Sequence, residues 1–486
     1  MAADQLGRQR MPGQFVLGDA GIACPDDWVD SSGDGWTLRR CPTLPMVTIV
    51  DASGTASGWI LGHPICDGSM LTIAFQVDAK RADGGFLSAA STALEALTGR
   101  YAAIVTTSTG GRVMLDASGQ MAVVYNADSR SVASSWRLIG HQEGVDKAVV
   151  DAFGIPREDH FLPFGLTPNP AVSRLLPDHH LDLATFAPQR DWPLVAITES
   201  SSSIEAVVEA IARRLVANIS AIAERMPMAI WLTAGRDSRM VLAAARAHLA
   251  ETRFFTLAVP DAAAAMDARV AKRLSANYGF RHDVLRWIPP SQADLDEWQV
   301  RVGDCVAGRS WQTVRTAHQI DPSLASVSGL AGEVTRCTRA TADDLEHEDE
   351  QLTPVDVLGR LRLPQAKVAV ESAEQWLAGL SHLSRVHVLD LLFIEQRLGC
   401  WAGPSHYGHT NNPTMIPMSD RTLFRLMMSL PPGYRISAQL PTALIERLWP
   451  ELLDVPFNED VGLDRAVAGL DRAMTGVRRR LRRLTR

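Results

Sequence analysis

The order of apolar and polar residues predicts a chain in two parts. Up to about residue 195, short apolar runs alternate with Gly, Ser and Asp turns, a pattern typical of β-strands joined by tight turns. Residues 85–99 have the spacing of a helix. We therefore expect an antiparallel sheet or sandwich with little helix over residues 1–195. The predicted strands include residues 45–50, 71–77, 101–107, 112–116 and 121–126.

From about residue 200 the pattern changes to alternating helix and strand. A helix behind a serine cap at residues 201–226 precedes a βαβαβ succession, which predicts a doubly wound parallel sheet. Residues 323–333 predict a further strand that enters a glycine-containing turn, and the pattern after them is mostly helical. The βαβαβ segments are strands at 228–234, 253–259 and 282–288, and helices at 237–249 and 266–280, the second ending at Gly279.

Composition and charge narrow the class of protein. The chain has 486 residues, enough for two or three domains, and its net charge of −7 does not indicate nucleic-acid or membrane binding. No apolar run is long enough to cross a bilayer, and the N-terminus has no apolar core of a secretory signal. The six cysteines are scattered singly, which argues against a zinc ribbon or a disulfide framework. We therefore expect a cytoplasmic protein without a transmembrane segment or a nucleic-acid partner.

Positive charge is concentrated in the C-terminal tail. Its last nine residues, RRRLRRLTR, contain six arginines between Arg478 and Arg486. A basic helix of this kind can contact another protein or an anionic membrane surface. A solvated, frayed end is the alternative.

Residues 232–238, LTAGRDS, place polar side chains where a predicted strand ends and a helix begins. Open α/β sheets bind ligands at that edge, and a helix N-terminus presents unpaired N–H groups. Gly235 permits close approach of a phosphate, and Thr233 and Ser238 can donate hydrogen bonds. Asp237 would repel a phosphate unless a cation lies between them, which indicates a Mg²⁺-pyrophosphate ligand. A simple helix cap by Asp237 is the alternative.

Two segments resemble motifs of the N-type ATP pyrophosphatases. Residues 232–238 are similar to the pyrophosphate loop S-G-G-x-D-S, with Thr233 in place of Ser. Residues 328–333, SGLAGE, are similar to the signature S-G-x-G-x-D of asparagine synthetases and β-lactam synthetases. In that signature Ala331 replaces the second Gly and Glu333 replaces the Asp.

Further segments resemble the same family in the same order along the chain. Residues 99–126 look like class II glutamine amidotransferase domains, and residues 173–193 look like the linker that follows such domains. Residues 416–432 look like the family's [VI]-P-[FL]-x-D segment with its helix and Leu-Pro. The resemblance covers about residues 95–435, in the order found in asparagine synthetase.

This resemblance implies a fold and a domain organisation. Residues 1–195 would form a degenerate glutamine amidotransferase-like domain, an α+β antiparallel sandwich of the Ntn-hydrolase type. Residues 200–460 would form an α/β doubly wound parallel-sheet ATP pyrophosphatase domain with a helical C-terminal part. Residues 461–486 would be the basic helical tail.

The resemblance also implies a reaction. A small-molecule or peptide carboxylate would attack the α-phosphorus of ATP to give an acyl-adenylate, and an amine donor would then form an amide. ATP and Mg²⁺ are the implied cofactors, with Asp237 and Glu333 as metal ligands. Arg397, from an acidic–Arg pair near the family's active site, and Arg435, in the region of a family lysine, are the candidate catalytic residues. The implied ATP- and pyrophosphate-binding residues are Leu232, Thr233, Ala234, Gly235, Arg236, Asp237, Ser238, Ser328 and Gly329, with Leu257 and Ala258 beside adenine.

Several positions depart from the family pattern. Met1 is followed by Ala rather than by a nucleophilic cysteine, so we expect no glutaminase activity. Leu330 stands where the relatives have Glu or Tyr, Ala234 stands where the loop has glycine, and no lysine is found near Arg435. A β-lactam synthetase- or lasso-peptide-type intramolecular amide cyclase and a non-catalytic nucleotide-binding scaffold therefore remain alternatives. The absence of CxxC pairs disfavours tRNA thiolation.

Other polar residues have two interpretations each. Arg236 and Arg239 flank the loop and either contact phosphates or are ordinary helix-surface arginines. His406 and His409 either line an acceptor pocket or are polar loop residues. For Arg397, a structural salt bridge is the alternative to a catalytic role.

Overall fold

The computed structural model describes residues 11–18, 22, 24–140, 144–156, 158–307, 309–409 and 412–459. These residues form three β-sheets and surrounding helices, a mixed α and β architecture that confirms the predicted general class. In this described part of the chain, no helix is both long enough and apolar enough to cross a bilayer. The predicted basic tail at 461–486 lies outside the described residues.

The strands fall into three sheets, two built before residue 195 and one after it. In chain order the strands of the described residues are β1 (Phe15–Gly18), β2 (Val29–Gly33), β3 (Trp36–Arg40), β4 (Met46–Val50), β5 (Ala56–Cys66), β6 (Ser69–Met70), β7 (Ala74–Gln76), β8 (Thr98–Thr107), β9 (Gly110–Leu115), β10 (Val124–Asn126), β11 (Ser131–Ala133), β12 (Ser173–Arg174), β13 (His179–Asp182), β14 (Ala187–Arg190), β15 (Met228–Trp231), β16 (Arg253–Ala258), β17 (His282–Arg286), β18 (Ala325–Val327) and β19 (Thr414–Met415).

Most helices of the described residues follow residue 200. The α-helices are α1 (Phe86–Glu95), α2 (Lys147–Ala152), α3 (Ile204–Ala223), α4 (Arg236–Ala244), α5 (Ala262–Tyr278), α6 (Gln292–Val302), α7 (Arg309–Gln312), α8 (Val314–Ala317), α9 (Ala342–Glu346), α10 (Pro354–Leu361), α11 (Lys367–Ala378), α12 (Arg385–Leu391), α13 (Gly403–Gly408), α14 (Arg421–Met428), α15 (Pro432–Ile436) and α16 (Gln439–Leu448). Residues Leu392–Ala402 are π-helical, and 3₁₀ turns lie at Trp136–Leu138, Arg246–His248, Gly332–Arg336 and Pro450–Asp454.

The first two sheets are antiparallel, apart from the parallel pair β4–β7, with strand orders β12-β10-β11-β1-β3-β2 and β14-β13-β9-β8-β5-β4-β7. Strand β8 shows how the second sheet buries both faces. Its Ala102 and Ile104 belong to the large core that also contains Phe15 of β1. Its Ala103 and Val105 belong to a separate core with residues of α1. The two-residue alternation of a strand therefore places sheet against sheet on one face and helix against sheet on the other.

The third sheet has the order β17-β16-β15-β18-β19, and every pair in it is parallel. This confirms the parallel sheet predicted from the βαβαβ pattern. From β15, the chain first adds β16 and β17 on one side and later β18 and β19 on the other. The direction of addition therefore reverses between β15 and β18, which is where open α/β sheets have their ligand crevice.

The cap residues that were read from the sequence also have the expected geometry. Ser203 Oγ accepts a hydrogen bond from the Ala206 N–H at the start of α3. Gly279 ends α5 with φ of 72°, in the left-handed region that favours glycine. Both features fix where the segments around the third sheet begin and end.

Candidate functional site

The loops after β15 and β18 meet at the point where the order of the third sheet reverses. A Cβ atom on Gly329 would lie 2.7 Å from the Asp237 carbonyl carbon, and one on Gly332 would lie 2.9 Å from Asp237 Cβ. Glycine at both positions therefore permits the close contact between the loops. Ala331 between them has φ of 70°, a backbone conformation that glycine adopts more readily, at the position where the resembled signature has glycine. The structure thus brings the two predicted motifs together.

The loop at 232–238 is shaped by hydrogen bonds among its own residues. Thr233 Oγ1 and Ser238 Oγ lie 2.9 Å apart, and Thr233 N donates to Ser238 Oγ at 3.0 Å. Gly235 N donates to Thr233 Oγ1 at 3.2 Å. Gly235 is the N-cap residue of α4 and has no side chain that could cap the helix. The first backbone N–H groups of α4 therefore need other hydrogen-bond acceptors. Such an N-terminus is suited to an anion.

Asp237 and Glu333 are two carboxylates of this crevice whose negative charges repel each other. Asp237 Oδ1 and Glu333 Oε2 are both buried without a hydrogen-bond partner. Burial raises the pKa of Asp237, and burial together with the charge of Asp237 raises the pKa of Glu333 to about 7. A divalent cation would satisfy both oxygens and relieve their repulsion, so the donor set fits Mg²⁺.

A cation here would have few protein ligands. The described part of the chain holds no group of three or more His, Cys, Asp or Glu side chains arranged for a metal. Hence Asp237 and Glu333 would supply two ligands, and phosphate oxygens and water would supply the others, as is usual for Mg²⁺ on a nucleotide.

Two charged residues of the site were not among the predicted ligands. Arg336, one turn after Glu333, donates from Nη2 to Asp237 Oδ2. Asp267 on α5 accepts a hydrogen bond from Ala234 N at 2.8 Å and so fixes the loop backbone. The sequence carried a signal for Asp267, because it lies at the start of the helix predicted at 266–280. Arg336 had no comparable signal.

The segment just before residue 460 covers the loop at 232–238. The guanidinium groups of Arg236 and Arg239 lie over the ring of Phe457, 4.5 and 4.3 Å from its centroid. Asn458 N donates to Ala234 O at 3.0 Å. Arg239 is fully buried and donates to backbone carbonyls of this segment, so of the two flanking arginines only Arg236 is partly exposed.

The two candidate catalytic arginines have different surroundings. Arg397 stacks on the Trp401 ring at 3.7 Å, and burial lowers its pKa to about 10 while the charge of Glu333 acts in the opposite direction. Arg435 is fully buried, 2.8 Å from Asp390 Oδ2, and donates to Val334 O at 3.3 Å. Arg397 is therefore close enough to Glu333 for their charges to interact. Arg435 instead stabilises the Gly332–Arg336 turn by its hydrogen bond to Val334 O.

A cavity of about 200 Å³ lies beside the crevice. Leu257 and Ser328, both predicted to lie near ATP, are part of its wall. His406 and His409 line it as well. Ala258 follows Leu257 at the carboxyl end of β16 and is partly exposed.

Comparison with known proteins found no relative among protein families or curated proteins, since no protein-family model matches the sequence and no curated protein matches it significantly. The chemistry of the crevice, above all that of Asp237 and Glu333, therefore carries the functional inference.

Proposed function

We propose that the protein is an ATP-dependent ligase resembling asparagine synthetase, which activates a carboxylate as an acyl-adenylate and forms an amide bond. The observation that carries this proposal is the carboxylate pair Asp237–Glu333, with two unpartnered buried oxygens beside the start of α4. A magnesium nucleotide matches this arrangement because the cation suits the carboxylates and the phosphates suit the helix N-terminus.

Each part of the crevice then has a role. The amides at the start of α4 bind the pyrophosphate portion of ATP, and the bonded hydroxyls of Thr233 and Ser238 keep the loop in shape. Asp237 and Glu333 would hold Mg²⁺, which neutralises phosphate charge when it is bound. The substrate carboxylate attacks the α-phosphorus, pyrophosphate leaves, and an amine then displaces AMP from the acyl group. Most of the rate gain in the first step comes from positioning and charge neutralisation.

The finer fold assignment is part of this proposal. The strand order β17-β16-β15-β18-β19 with its reversal beside β15 supports an ATP pyrophosphatase-type domain. The two packed antiparallel sheets with α1 on one face support a degenerate amidotransferase-like domain of the Ntn-hydrolase type.

ATP–pyrophosphate exchange with a panel of carboxylic acids tests the proposal. Wild-type protein should catalyse exchange with at least one acid, and Asp237→Asn and Glu333→Gln should each reduce it by roughly a hundredfold or more. Glu371→Gln is the matched control, because Glu371 is exposed and pairs with the exposed Lys367 on α11. Exchange that persists unchanged in both crevice variants would refute adenylation at this site.

A non-catalytic nucleotide-binding scaffold is the second candidate. Arg336 already pairs with Asp237, which gives the carboxylate a cation from the chain itself. In addition, no lysine follows Lys367 in the sequence, so the region of the family's catalytic lysine lacks one. ATP binding that is lost in Asp237→Asn, with no exchange for any acid, would favour the scaffold.

A further inference from the structure

The cavity beside the crevice has the position of a second binding site. Its floor is the face of the third sheet that carries Trp231 and Leu257, and its wall includes Ser328. Ser328 directly precedes Gly329, whose backbone touches Asp237. The cavity therefore begins one residue away from the carboxylate pair. It reaches the surface near His318, which is exposed, so a ligand has a path into it.

The walls of the cavity carry no ionised groups. Ala317 and Ile320 contribute apolar surface, and Ser326 and Thr414 contribute hydroxyls. Within the described residues, no Asp, Glu, Lys or Arg side chain lines the cavity. A charged group placed there would lose its hydration without gaining an oppositely charged partner, which costs on the order of several kcal/mol.

The histidines of the cavity do not change this conclusion. Burial lowers the pKa of His406 well below its usual range and that of His409 to about 4, and burial also lowers the pKa of His318. All three imidazoles are therefore uncharged near neutral pH. His406 Nε2 lies 2.8 Å from Gln120 Oε1 of the N-terminal part, which fixes its ring.

The hydroxyl-bearing wall of the cavity lies away from the expected site of adenine. Three hydroxyl groups of the wall lie on the side of β15 away from β16. They come from Ser326 in β18, Ser328 just after β18 and Thr414 in β19. The predicted adenine contacts, the backbone of Leu257 and Ala258, are at the end of β16. Leu257 also lines the cavity, so the cavity and the expected adenine site adjoin at the end of β16, while the hydroxyl groups of the cavity lie on the other side of β15.

We propose that this cavity holds the side group of the carboxylic acid substrate, and that this group is uncharged, largely apolar and about the size of an aromatic ring. The inference rests on the proposed function and extends it, because it excludes a dicarboxylic acid such as aspartate. The size follows from the volume of about 200 Å³. A dry engineered cavity of about 150 Å³ already accommodates benzene.

Direct binding to the full chain, measured by titration calorimetry or saturation-transfer NMR without ATP, tests the inference. 3-Phenylpropanoate should bind, and succinate should bind at least roughly tenfold more weakly. Ala317→Phe, which fills the cavity without removing a hydrogen bond, should weaken 3-phenylpropanoate binding by roughly tenfold or more. Its ATP affinity should remain within about twofold of wild type. Ala263→Phe, at an exposed position on α5, is the matched control and should bind the probe normally.

Three results would overturn the inference: equal binding of succinate, displacement of 3-phenylpropanoate by AMP, or full probe binding in Ala317→Phe. If that variant does not fold, the succinate comparison and the AMP competition on wild type still test the inference. The two proposals fail separately. Exchange with aspartate but not with aromatic acids would retain adenylation and refute the cavity's role. Selective binding of 3-phenylpropanoate without exchange for any acid would retain the cavity and refute adenylation.

Discussion

Arg336 donates a hydrogen bond to Asp237, so the carboxylate pair of the crevice is held by a cation from its own loop. Burial raises the pKa values of Asp237 and Glu333, and the charge of Arg336 offsets part of both rises. The guanidinium therefore does electrostatically what a divalent cation would do. Under the proposed function, Arg336 and Mg²⁺ would bind the same carboxylate through different oxygens, Arg336 through Asp237 Oδ2 and Mg²⁺ through the unpartnered Oδ1, and would compete for its charge.

Replacing Arg336 by Ala should therefore destabilise the metal-free protein and increase its dependence on Mg²⁺. Loss of a partly buried charged hydrogen bond should reduce the free energy of unfolding by about 1–3 kcal/mol. Millimolar Mg²⁺ should restore much of the loss in Arg336→Ala and have a smaller effect on wild type. Thermal unfolding with and without Mg²⁺ measures both effects. An equal Mg²⁺ response in the two proteins would show that Arg336 does not compete with the cation.

Gly329→Ala should separate the two loops. The new Cβ would lie 2.7 to 2.8 Å from backbone atoms of Asp237 and Ser238, which no side-chain rotation relieves. We expect a loss of about 1–3 kcal/mol in the free energy of unfolding, together with weaker ATP binding. Urea denaturation and nucleotide titration measure the two effects.

Gly359→Ala is the matched control for this substitution. Gly359 lies within α10, and an added Cβ there meets no atom within 4 Å. Because alanine favours a helix over glycine, this variant should be as stable as wild type or more stable by about 0.5–1 kcal/mol. Similar destabilisation of both variants would mean that the contact at Gly329 is not the cause.

Ala234→Gly would restore the glycine of the resembled loop, and we expect no gain from it. Ala234 is fully buried and belongs to the large hydrophobic core. Its methyl group therefore packs inward and does not narrow the space for phosphate. The variant should lose about 1 kcal/mol of stability, with ATP affinity unchanged within about twofold. Clearly tighter ATP binding by Ala234→Gly would show that the methyl group obstructs the phosphate site.

The β15–loop–α4 unit could be predicted because its signals are local. An apolar run, a glycine and a helical pattern follow one another within a few residues, and the parallel order of β15, β16 and β17 follows from the helices between them. Strand β19 could not be predicted, because its two residues are too short to show any periodicity. Its position in the sheet is decided by its pairing with β18.

The two motifs of the candidate site could be predicted in the same way, because their signals are local too. Asp237 and Glu333 each lie in a recognisable segment, and the glycines that let these segments touch were part of the motifs. The contact of Phe457 with Arg236 was not predictable, because it joins segments that are distant in the chain and carry no shared pattern. Arg336 was missed for a related reason, since one arginine after a turn has no preferred partner until the fold supplies one.

The buried histidines predict a loss of stability in mild acid. The folded-state pKa of His409 is lowered to about 4, so its contribution to stability is present above the unfolded value near 6.5 and is lost as pH falls through about 4. That contribution is at most about 3 kcal/mol. His409→Gln keeps a donor for the Ser310 carbonyl and should flatten the fall in stability over this range. Denaturation at several pH values tests this, and unchanged slopes would contradict it.

The buried pair Arg435–Asp390 allows a structural role to be separated from a catalytic one. Arg435→Met leaves the Asp390 carboxylate buried without its cation, which should cost about 3–5 kcal/mol. The double variant Arg435→Met with Asp390→Leu removes both charges and should recover much of that stability, together with ATP binding and exchange. Recovery of both properties would assign Arg435 to support of the Gly332–Arg336 turn. Recovery of stability without exchange would instead assign the Arg435–Asp390 pair a part in the reaction beyond support of the turn.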